Sequence, residues 1–311
     1  MDVEEEKENN NCIINDLEIE NKKILGQGAS GIAYLVTLKD GKKYIMKETH
    51  IGKDIIKESI ITQTIWNECK DTIYRNHVLE FFMCKKTRLR SGPDIITTYE
   101  LFTKYEPYSQ TMDKALGRMH YTDLFSCIAQ IILTLDFLKS KGIRHMDIKL
   151  DNILVKPWDL VGEREYFPKN LYLKKAKISC ILIDYGNSII KKKGQIYNNY
   201  IYSSSEFGGK CYIDAFEIFR LFYDLKGNLT NVHKYDSKTS TELIIITKIM
   251  ETFFGKDLLD YIYINKKNFI EEYGMLSKEG CENILKLSNI KDFTYAKLIE
   301  IFIEMGIIQR H

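Results

Sequence analysis

The first third of the chain alternates apolar and polar residues in short runs, which is the pattern of β-strands. Five strands are predicted there, at 24–25, 33–38, 44–47, 78–84 and 95–101. Asp40-Gly41 separates the second strand from the third, and glycine supplies the positive φ that a tight hairpin needs. Between the third and fourth strands, about 54–70, Ile61, Ile65 and Cys69 recur at helical spacing. The pattern therefore predicts a small β-rich lobe with one helix.

The rest of the chain changes to a helical pattern. Residues 121–140 carry apolar side chains at helical spacing and are followed by Gly142, a typical residue for ending a helix. Short apolar runs at 153–155 and 178–183 predict two strands. Residues 214–225 and 243–253 predict further helices. The polar, aromatic-dotted segment 157–177 receives no assignment, and no internal repeat is present.

Composition restricts the classes of partner. The 311 residues are 44% hydrophobic and 28% charged, as in soluble globular proteins. The formal net charge of +2 argues against nucleic acid or membrane as the main partner. Residues 1–15 are acidic and polar and are predicted to be disordered, and no apolar run is expected to reach membrane-spanning length. Seven dispersed cysteines without a CxxC pair predict reduced thiols in a cytosol-like compartment.

Two acidic motifs carry the candidate chemistry. The run HMDIKLDN at 145–152 contains Asp147, Lys149 and Asn152, and Asp184 follows later in Asp184-Tyr185-Gly186. Phosphoryl transfer from ATP needs a carboxylate beside the attacking hydroxyl, an amide and a second carboxylate on magnesium, and a lysine near the migrating phosphate. Asp147, Asn152, Asp184 and Lys149 match those four requirements in that order. We predict that these residues and Lys47 converge on a single cleft.

A glycine motif precedes Lys47. Its members, which we expect to close backbone N–H groups over phosphate oxygens, are Gly26, Gln27, Gly28, Ala29, Ser30 and Gly31. A strand follows this motif, whereas a helix would follow it in a dinucleotide-binding fold. Lys47 needs a carboxylate from the next helix to hold it. Glu58 is favoured because it lies beside the buried stripe of that helix, and Glu68 stays open as the alternative.

From about residue 24 to residue 225 the chain resembles the eukaryotic-type protein kinases, because these motifs occur in the family order. The resemblance implies an α+β, two-lobed fold: an N-lobe of about 17–104 and a C-lobe of about 105–311. It also implies ATP and Mg²⁺ as cofactors, with Lys47 on the α- and β-phosphates and Ala33 against the adenine. Glu100, with Tyr99 and Leu101, is expected to link the lobes beside the adenine. Asp214 matches the aspartate that supports the catalytic loop, and His145 is expected to be structural.

Several positions depart from the family pattern. Met146 replaces the arginine that clamps a phosphorylated activation loop, so control by that phosphate is not expected. Tyr185 replaces a phenylalanine and adds a hydroxyl that needs a partner. The usual Ala-Pro-Glu is absent, and Glu206 is the candidate for its glutamate.

The leading hypothesis is a serine/threonine kinase that acts on protein hydroxyls. Lys149, two residues after Asp147, resembles the serine/threonine branch. The scarcity of proline and the abundance of Ile, Lys, Asn and Tyr are similar to kinases of large DNA viruses. Such a protein is expected in the cytoplasm. If the protein is viral, it is expected in the host cytoplasm or in the virion. The alternatives are a pseudokinase that acts as a scaffold and a small-molecule kinase of the same superfold.

Overall fold

A computed structural model describes residues 17–28, 31–49, 52–91, 94–157, 164–174, 178–192, 195–198, 214–232, 240–257 and 293–311. Several predictions lie outside these ranges. They are the disorder of residues 1–15, the contributions of Ala29 and Ser30 to the glycine motif, and the role of Glu206.

The described residues form strands and helices in the following order along the chain. The strands are β1 Ile19–Gly28, β2 Gly31–Leu38, β3 Lys43–Thr49, β4 Phe81–Ser91, β5 Asp94–Lys104, β6 Gln110–Thr111, β7 Ile143–Arg144, β8 Ile153–Pro157, β9 Arg164–Phe167, β10 Leu171–Lys174, β11 Ile178–Leu182, β12 Ile189–Lys192, β13 Gln195–Asn198 and β14 Ile308–Arg310. The helices are α1 Gly52–Cys69, α2 Met112–Ala115, α3 Tyr121–Ser140, α4 Asp214–Val232, α5 Thr241–Phe254 and α6 Tyr295–Glu304. The predicted α+β class is confirmed.

The chain divides into two compact units, and residues 1–107 with 184–199 form the first. Its centre is a five-stranded antiparallel sheet in the order β1-β2-β3-β5-β4. The predicted hairpin joins β2 to β3: the Gly41 N–H donates to Leu38 O at 2.8 Å, and Gly41 has a φ of +82°. The five predicted strands and the predicted helix are therefore present.

Alternation along the strands decides which side chains face α1. On one face of the sheet Met46 packs with Val36, Met83 and Phe102. On the other face Leu101 packs with residues of α1, including Ile55. Because neighbouring residues on a strand point to opposite faces, Lys47, next to Met46 and opposite Leu101, belongs to the helix face.

The predicted linker at 99–101 is wrong. Glu100 lies in the interior of β5, where it is paired with Glu48 of β3 and Lys85 of β4. The next two residues, Leu101 and Phe102, are buried in different clusters of the core, and the strand continues to Lys104. The first unit runs on to Pro107. Glu100 is therefore a sheet residue and not a connecting residue.

The second unit comprises residues 108–183 and 200–311. Its core helix is α3, which begins and ends where the sequence pattern predicted. Gln130 of α3 is buried and bonds to β11 with both ends of its amide: its nitrogen donates to Ile178 O at 3.2 Å, and its oxygen accepts from the Cys180 N–H at 2.8 Å. These bonds fix β11, the strand that leads towards Asp184, against the core helix.

By length and composition alone, α3 could cross a membrane, but most of this helix is buried inside the protein. The prediction that no apolar run reaches spanning length is therefore wrong. A helix at the centre of a core is apolar on nearly all sides, so its length and composition can match those of a membrane-spanning helix.

The unassigned segment 157–177 contains a hairpin. Its strands β9 and β10 pair with each other, and β10 also pairs with β14 at the other end of the unit's sequence. Leu173 of β10 and Ile308 of β14 are opposite each other and buried. The segment therefore forms a three-stranded sheet with the last residues of the chain.

The cysteines agree only in part with the prediction of reduced thiols. Cys69, Cys127 and Cys180 are buried free thiols. Cys84 is also buried but is disulfide-bonded, so the prediction is wrong for this residue. Spacing along the chain does not determine which thiols meet in space, which is why the dispersed pattern could not reveal it.

Candidate active site

A lysine held by two carboxylates lies in the first unit. Lys47 Nζ is 2.8 Å from the carboxylate of Glu58 and 2.8 Å from Asp184 Oδ1. Burial by itself would lower the pKa of Lys47, but the two carboxylates outweigh burial and raise this pKa above its ordinary value. The ammonium is therefore firmly protonated, and it can attract an anion such as a phosphate.

Helix α1 presents Glu58 to this lysine because Glu58 lies on the buried side of the helix. Ile55, Ile61 and Ile65 are buried at the same spacing, and Glu58 is itself buried. Glu68 lies ten residues further on, which is about 15 Å along the axis of a helix. The carboxylate that pairs with Lys47 is thus that of Glu58, the residue that the sequence pattern favoured.

The second acidic motif has an unexpected backbone. Asp184 has a φ of 60°, which is left-handed and rare for a residue other than glycine. A Cβ on Gly186 would lie 3.4 Å from both Asp184 Oδ1 and Glu58 Oε2. The glycine therefore keeps the space beside the two carboxylates open. The hydroxyl of the buried Tyr185 has the partner that its presence required, because the Leu79 N–H donates to it at 3.3 Å.

At the glycine motif β1 and β2 pair antiparallel, with Gly28 opposite Gly31 and Gly26 opposite Ala33. Gly31 has a φ of +125°, and a Cβ there would lie 2.3 Å from Glu48 O. A larger residue at position 31 would be strained and would collide with backbone. Ala33 is paired with Lys47 across β2 and β3, so the motif is held in register with the lysine.

The second unit contains the other acidic motif. Asn152 donates through Nδ2 to Asp147 O at 2.9 Å and to Asp147 Oδ2 at 3.0 Å. Lys149 Nζ is 4.0 Å from Asp147 Oδ2 and 3.2 Å from Asp151 Oδ2. Asp147 and Asn152 are both buried, while Lys149 is partly exposed. The side chains predicted to act together in this loop are therefore in contact.

His145 has the structural role that was expected. Its Nε2 lies 3.0 Å from Ile183 O, and its Nδ1 accepts from the Asp147 N–H at 3.4 Å. These partners assign the ring proton to Nε2. Through these two bonds the completely buried histidine joins the loop to Ile183, the residue before Asp184.

Glu217 supports this loop. Its Oε1 accepts from the His145 N–H at 2.6 Å and from the Met146 N–H at 2.9 Å, and its Oε2 accepts from the Tyr295 hydroxyl at 3.1 Å. Asp214 is the first residue of α4, and its side chain lies outside the described residues. The role expected for Asp214 therefore stays a prediction. Sequence reasoning missed Glu217, because only contacts that are distant in sequence identify which carboxylate of the helix faces the loop.

Two further residues of α4 reach the same loop, and sequence reasoning missed both. Arg220 Nη2 is 3.0 Å from Asp147 Oδ1, and Asp224 Oδ2 accepts from the Leu150 N–H at 2.7 Å. Burial raises the pKa of Glu217. Burial also raises the pKa of Asp224, and this effect outweighs that of the neighbouring groups that lower it. The spacing 217, 220, 224 is that of one helix face, which is the signal that could have revealed them.

Asp184 of the first unit and Asn152 of the second each carry an oxygen atom of the kind that binds Mg²⁺ together with phosphates. Among the described residues no group of three or more His, Cys, Asp and Glu is placed to hold a metal by itself. Magnesium needs no such cage, because it is usually bound by one or two protein ligands and by phosphate oxygens. Asp184 offers a carboxylate, and Asn152 offers a carbonyl oxygen on an amide whose nitrogen is already bonded.

Comparisons with known proteins agree with this chemistry. The family model described as protein kinase domain matches residues 19–205. The chain is 22% identical over 176 residues to the serine/threonine-protein kinase oca2 of Schizosaccharomyces pombe, covering 55% of the chain and 22% of that protein. It is 30% identical over 144 residues to the protein kinase C eta type of Mus musculus, covering 43% of the chain and 19% of that protein. It is 25% identical over 162 residues to OXI1 of Arabidopsis thaliana, covering 49% of the chain and 37% of that protein. The chain therefore spans well under half the length of these relatives.

Proposed function

Because this chain belongs to the protein kinase family, we propose that it is a serine/threonine kinase that transfers the γ-phosphoryl group of ATP to protein hydroxyls with Mg²⁺. The observation that carries the proposal is the position of Lys47, whose ammonium is held at 2.8 Å by both Glu58 and Asp184. In this family the lysine must be paired with the glutamate of the following helix, and the second carboxylate is the one that serves magnesium.

In the proposed mechanism Lys47 holds the α- and β-phosphates. Asp184 and Asn152 would hold magnesium, and the ion would supply positive charge to neutralise the phosphates. Asp147 accepts or orients the proton of the substrate hydroxyl, and Lys149 neutralises charge on the migrating group. That the residues of the two units act on one ATP molecule is part of the proposal.

The preference for serine and threonine rests on Lys149 and on the printed names of relatives. At 22% to 30% identity those names support the branch without deciding it. A resemblance to kinases of large DNA viruses is a further expectation, based on composition alone.

The test is transfer of label from γ-labelled ATP, with Mg²⁺, to casein or myelin basic protein, followed by identification of the labelled amino acid. Wild type is expected to label serine or threonine, and Asp147→Asn is expected to lose about 10²- to 10⁴-fold, the usual contribution of a general base. Asp113→Asn is the matched control, since Asp113 is an exposed aspartate of the same unit.

Three results would contradict the proposal. Equal transfer by wild type and Asp147→Asn would remove the catalytic role of that residue. Nucleotide binding by wild type without any transfer would favour a pseudokinase that acts as a binding module. Label on tyrosine alone would overturn the serine/threonine assignment.

A further inference from the structure

Helix α4 contacts the loop 145–152 at three points through residues on one of its faces. Glu217 accepts from the backbone N–H groups of His145 and Met146, and Asp224 accepts from that of Leu150. Arg220 lies between the two carboxylates on the helix and contacts a side chain of the loop, at 3.0 Å from Asp147 Oδ1. The outer two contacts place the backbone, whereas the middle contact acts on the reactive group.

We infer that Arg220 is a positioning residue for Asp147, an inference that rests on the kinase function proposed above. The two oxygens of this carboxylate have different partners: Oδ1 bonds to Arg220 Nη2, and Oδ2 accepts from Asn152 Nδ2 at 3.0 Å. A planar group that is bonded at both ends cannot rotate about its last bond. The orientation of the carboxylate towards a substrate hydroxyl is thereby fixed before the substrate arrives.

The burial of this pair favours a role in positioning. The side chains of Arg220 and Asp147 are only 7% and 9% exposed, so solvent screens their attraction little. The residue directly before Asp147 is the buried Met146, which offers no charge. Arg220 of the helix supplies a cation at 3.0 Å from Asp147 Oδ1, while Lys149 of the loop lies 4.0 Å from Oδ2.

The contact is a single bond and not a two-pronged fork. Arg220 Nη1 is buried and has no hydrogen-bond partner among the described residues, so only Nη2 reaches the carboxylate. A lysine at position 220 can supply one charged donor but not a fork. Arg220→Lys is therefore expected to keep most of the effect, while Arg220→Met removes it with a side chain of similar length.

The experiment compares wild type, Arg220→Met, Arg220→Lys and, as a control on the same helix, Lys226→Met. Because a misplaced catalytic group can cost about 100-fold in rate, Arg220→Met is expected to lower kcat by about 10- to 100-fold. The KM for ATP should stay within about threefold, since Arg220 is not proposed to touch the nucleotide. Arg220→Lys should recover most of kcat, and Lys226→Met should match wild type.

A double variant separates positioning from general damage to the fold. If Arg220 acts through Asp147, adding Arg220→Met to Asp147→Asn should lower the residual rate by less than about twofold. Losses that multiply in the double variant would overturn the inference. A rise in kcat for Arg220→Met would overturn it as well, because the ion pair would then restrain Asp147.

Two controls keep the result interpretable. Circular dichroism establishes whether Arg220→Met is folded; if it is not, Arg220→Lys and Arg220→Gln decide, and an equal kcat for both would contradict the role of the charge. An active wild type with full kcat in Arg220→Met overturns this inference alone. A wild type no more active than Asp147→Asn overturns the proposed function, and the inference with it.

Discussion

The buried carboxylate of Glu217 offers a sharp test of how the loop 145–152 is held in place. This side chain is 1% exposed and accepts three hydrogen bonds, from the N–H groups of His145 and Met146 and from the Tyr295 hydroxyl. We compare two variants. Glu217→Leu removes the acceptors and puts an apolar side chain in their place, whereas Glu217→Gln keeps the shape and one strong acceptor.

The two substitutions should differ greatly in the free energy of unfolding. Glu217→Leu leaves two buried backbone donors and one hydroxyl without an acceptor, and each buried group left unsatisfied costs about 1–3 kcal/mol. The expected loss is therefore about 3–9 kcal/mol. In Glu217→Gln the carbonyl oxygen can still accept from both N–H groups, and the amide nitrogen can donate to the Tyr295 hydroxyl. Its expected change is within about 1 kcal/mol.

Met146 adds to the cost of losing the carboxylate. It has a φ of 64°, a left-handed conformation that costs an ordinary residue about 1–2 kcal/mol. The bonds from the His145 and Met146 N–H groups to a single oxygen hold this turn in place. Without that oxygen the turn has less to oppose its strain, so transfer activity should fall along with stability in Glu217→Leu.

The assay is urea unfolding followed by circular dichroism at pH 7. The slope of the transition must be unchanged for the comparison to hold, since a changed slope means a changed denatured or native state. Glu251→Leu is the matched control, because Glu251 is an exposed glutamate of α5, and it should change the free energy by less than about 0.5 kcal/mol. Equal losses for Glu217→Leu and Glu217→Gln would refute the argument from acceptors.

The same comparison has a pH dependence whose sign follows from burial. Burial raises the pKa of Glu217 above its ordinary 4.5, so the folded protein binds this proton more tightly than the unfolded chain does. The group thus favours folding most below pH 4.5, and this contribution is lost as pH rises through the folded pKa. Relative to Glu217→Gln, wild type should therefore lose stability as pH increases above 4.5. A difference independent of pH would contradict this account.

Three further predictions concern other parts of the chain. Glu58→Gln should lower phosphoryl transfer by about 10- to 100-fold, because a hydrogen bond between charged groups contributes about 1.5–3 kcal/mol. Glu68→Gln should leave the rate near that of wild type. Steady-state kinetics will show whether Lys47 depends on the first glutamate alone. Tyr185→Phe removes the acceptor of a backbone N–H and should cost about 1 kcal/mol in urea unfolding without lowering kcat; a large fall in kcat would mean that the hydroxyl has another role. Ile308→Ala should lower the free energy of unfolding by about 2–5 kcal/mol, as for other buried residues, and a loss under 1 kcal/mol would indicate that β14 contributes little to stability.

Local patterns predicted a large part of this fold. The turn at Gly41, the helix at 121–140 and the run 145–152 are each determined by residues that are neighbours in sequence, so alternation, helical spacing and motif order were enough. Glu58 was also accessible in this way, because a helix with one buried stripe places a carboxylate on that stripe near its packing partner.

Contacts that are distant in sequence account for the failures. The resemblance to the family implied a linker at Glu100, and nothing local shows that β3 and β4 continue to pair on both sides of it. The hairpin β9–β10 has its partner in β14, more than 130 residues away. Neither feature follows from propensity, because pairing between strands is decided by which edges meet in the folded chain.

The loop 145–152 shows how a short motif can be recognised from sequence while its support cannot. The motif fixes which groups are present, yet the loop backbone is irregular and contains a left-handed residue, so its own hydrogen bonds cannot specify its shape. A regular helix can, because its side chains have a known spacing and a rigid base. In this chain α4 supplies an acceptor, a cation and a second acceptor in succession, and Tyr295 of α6 donates to the first of them. The geometry of the loop is therefore set by elements 70 to 150 residues away along the sequence, and substitutions on those helices are expected to act on the reaction without touching the nucleotide.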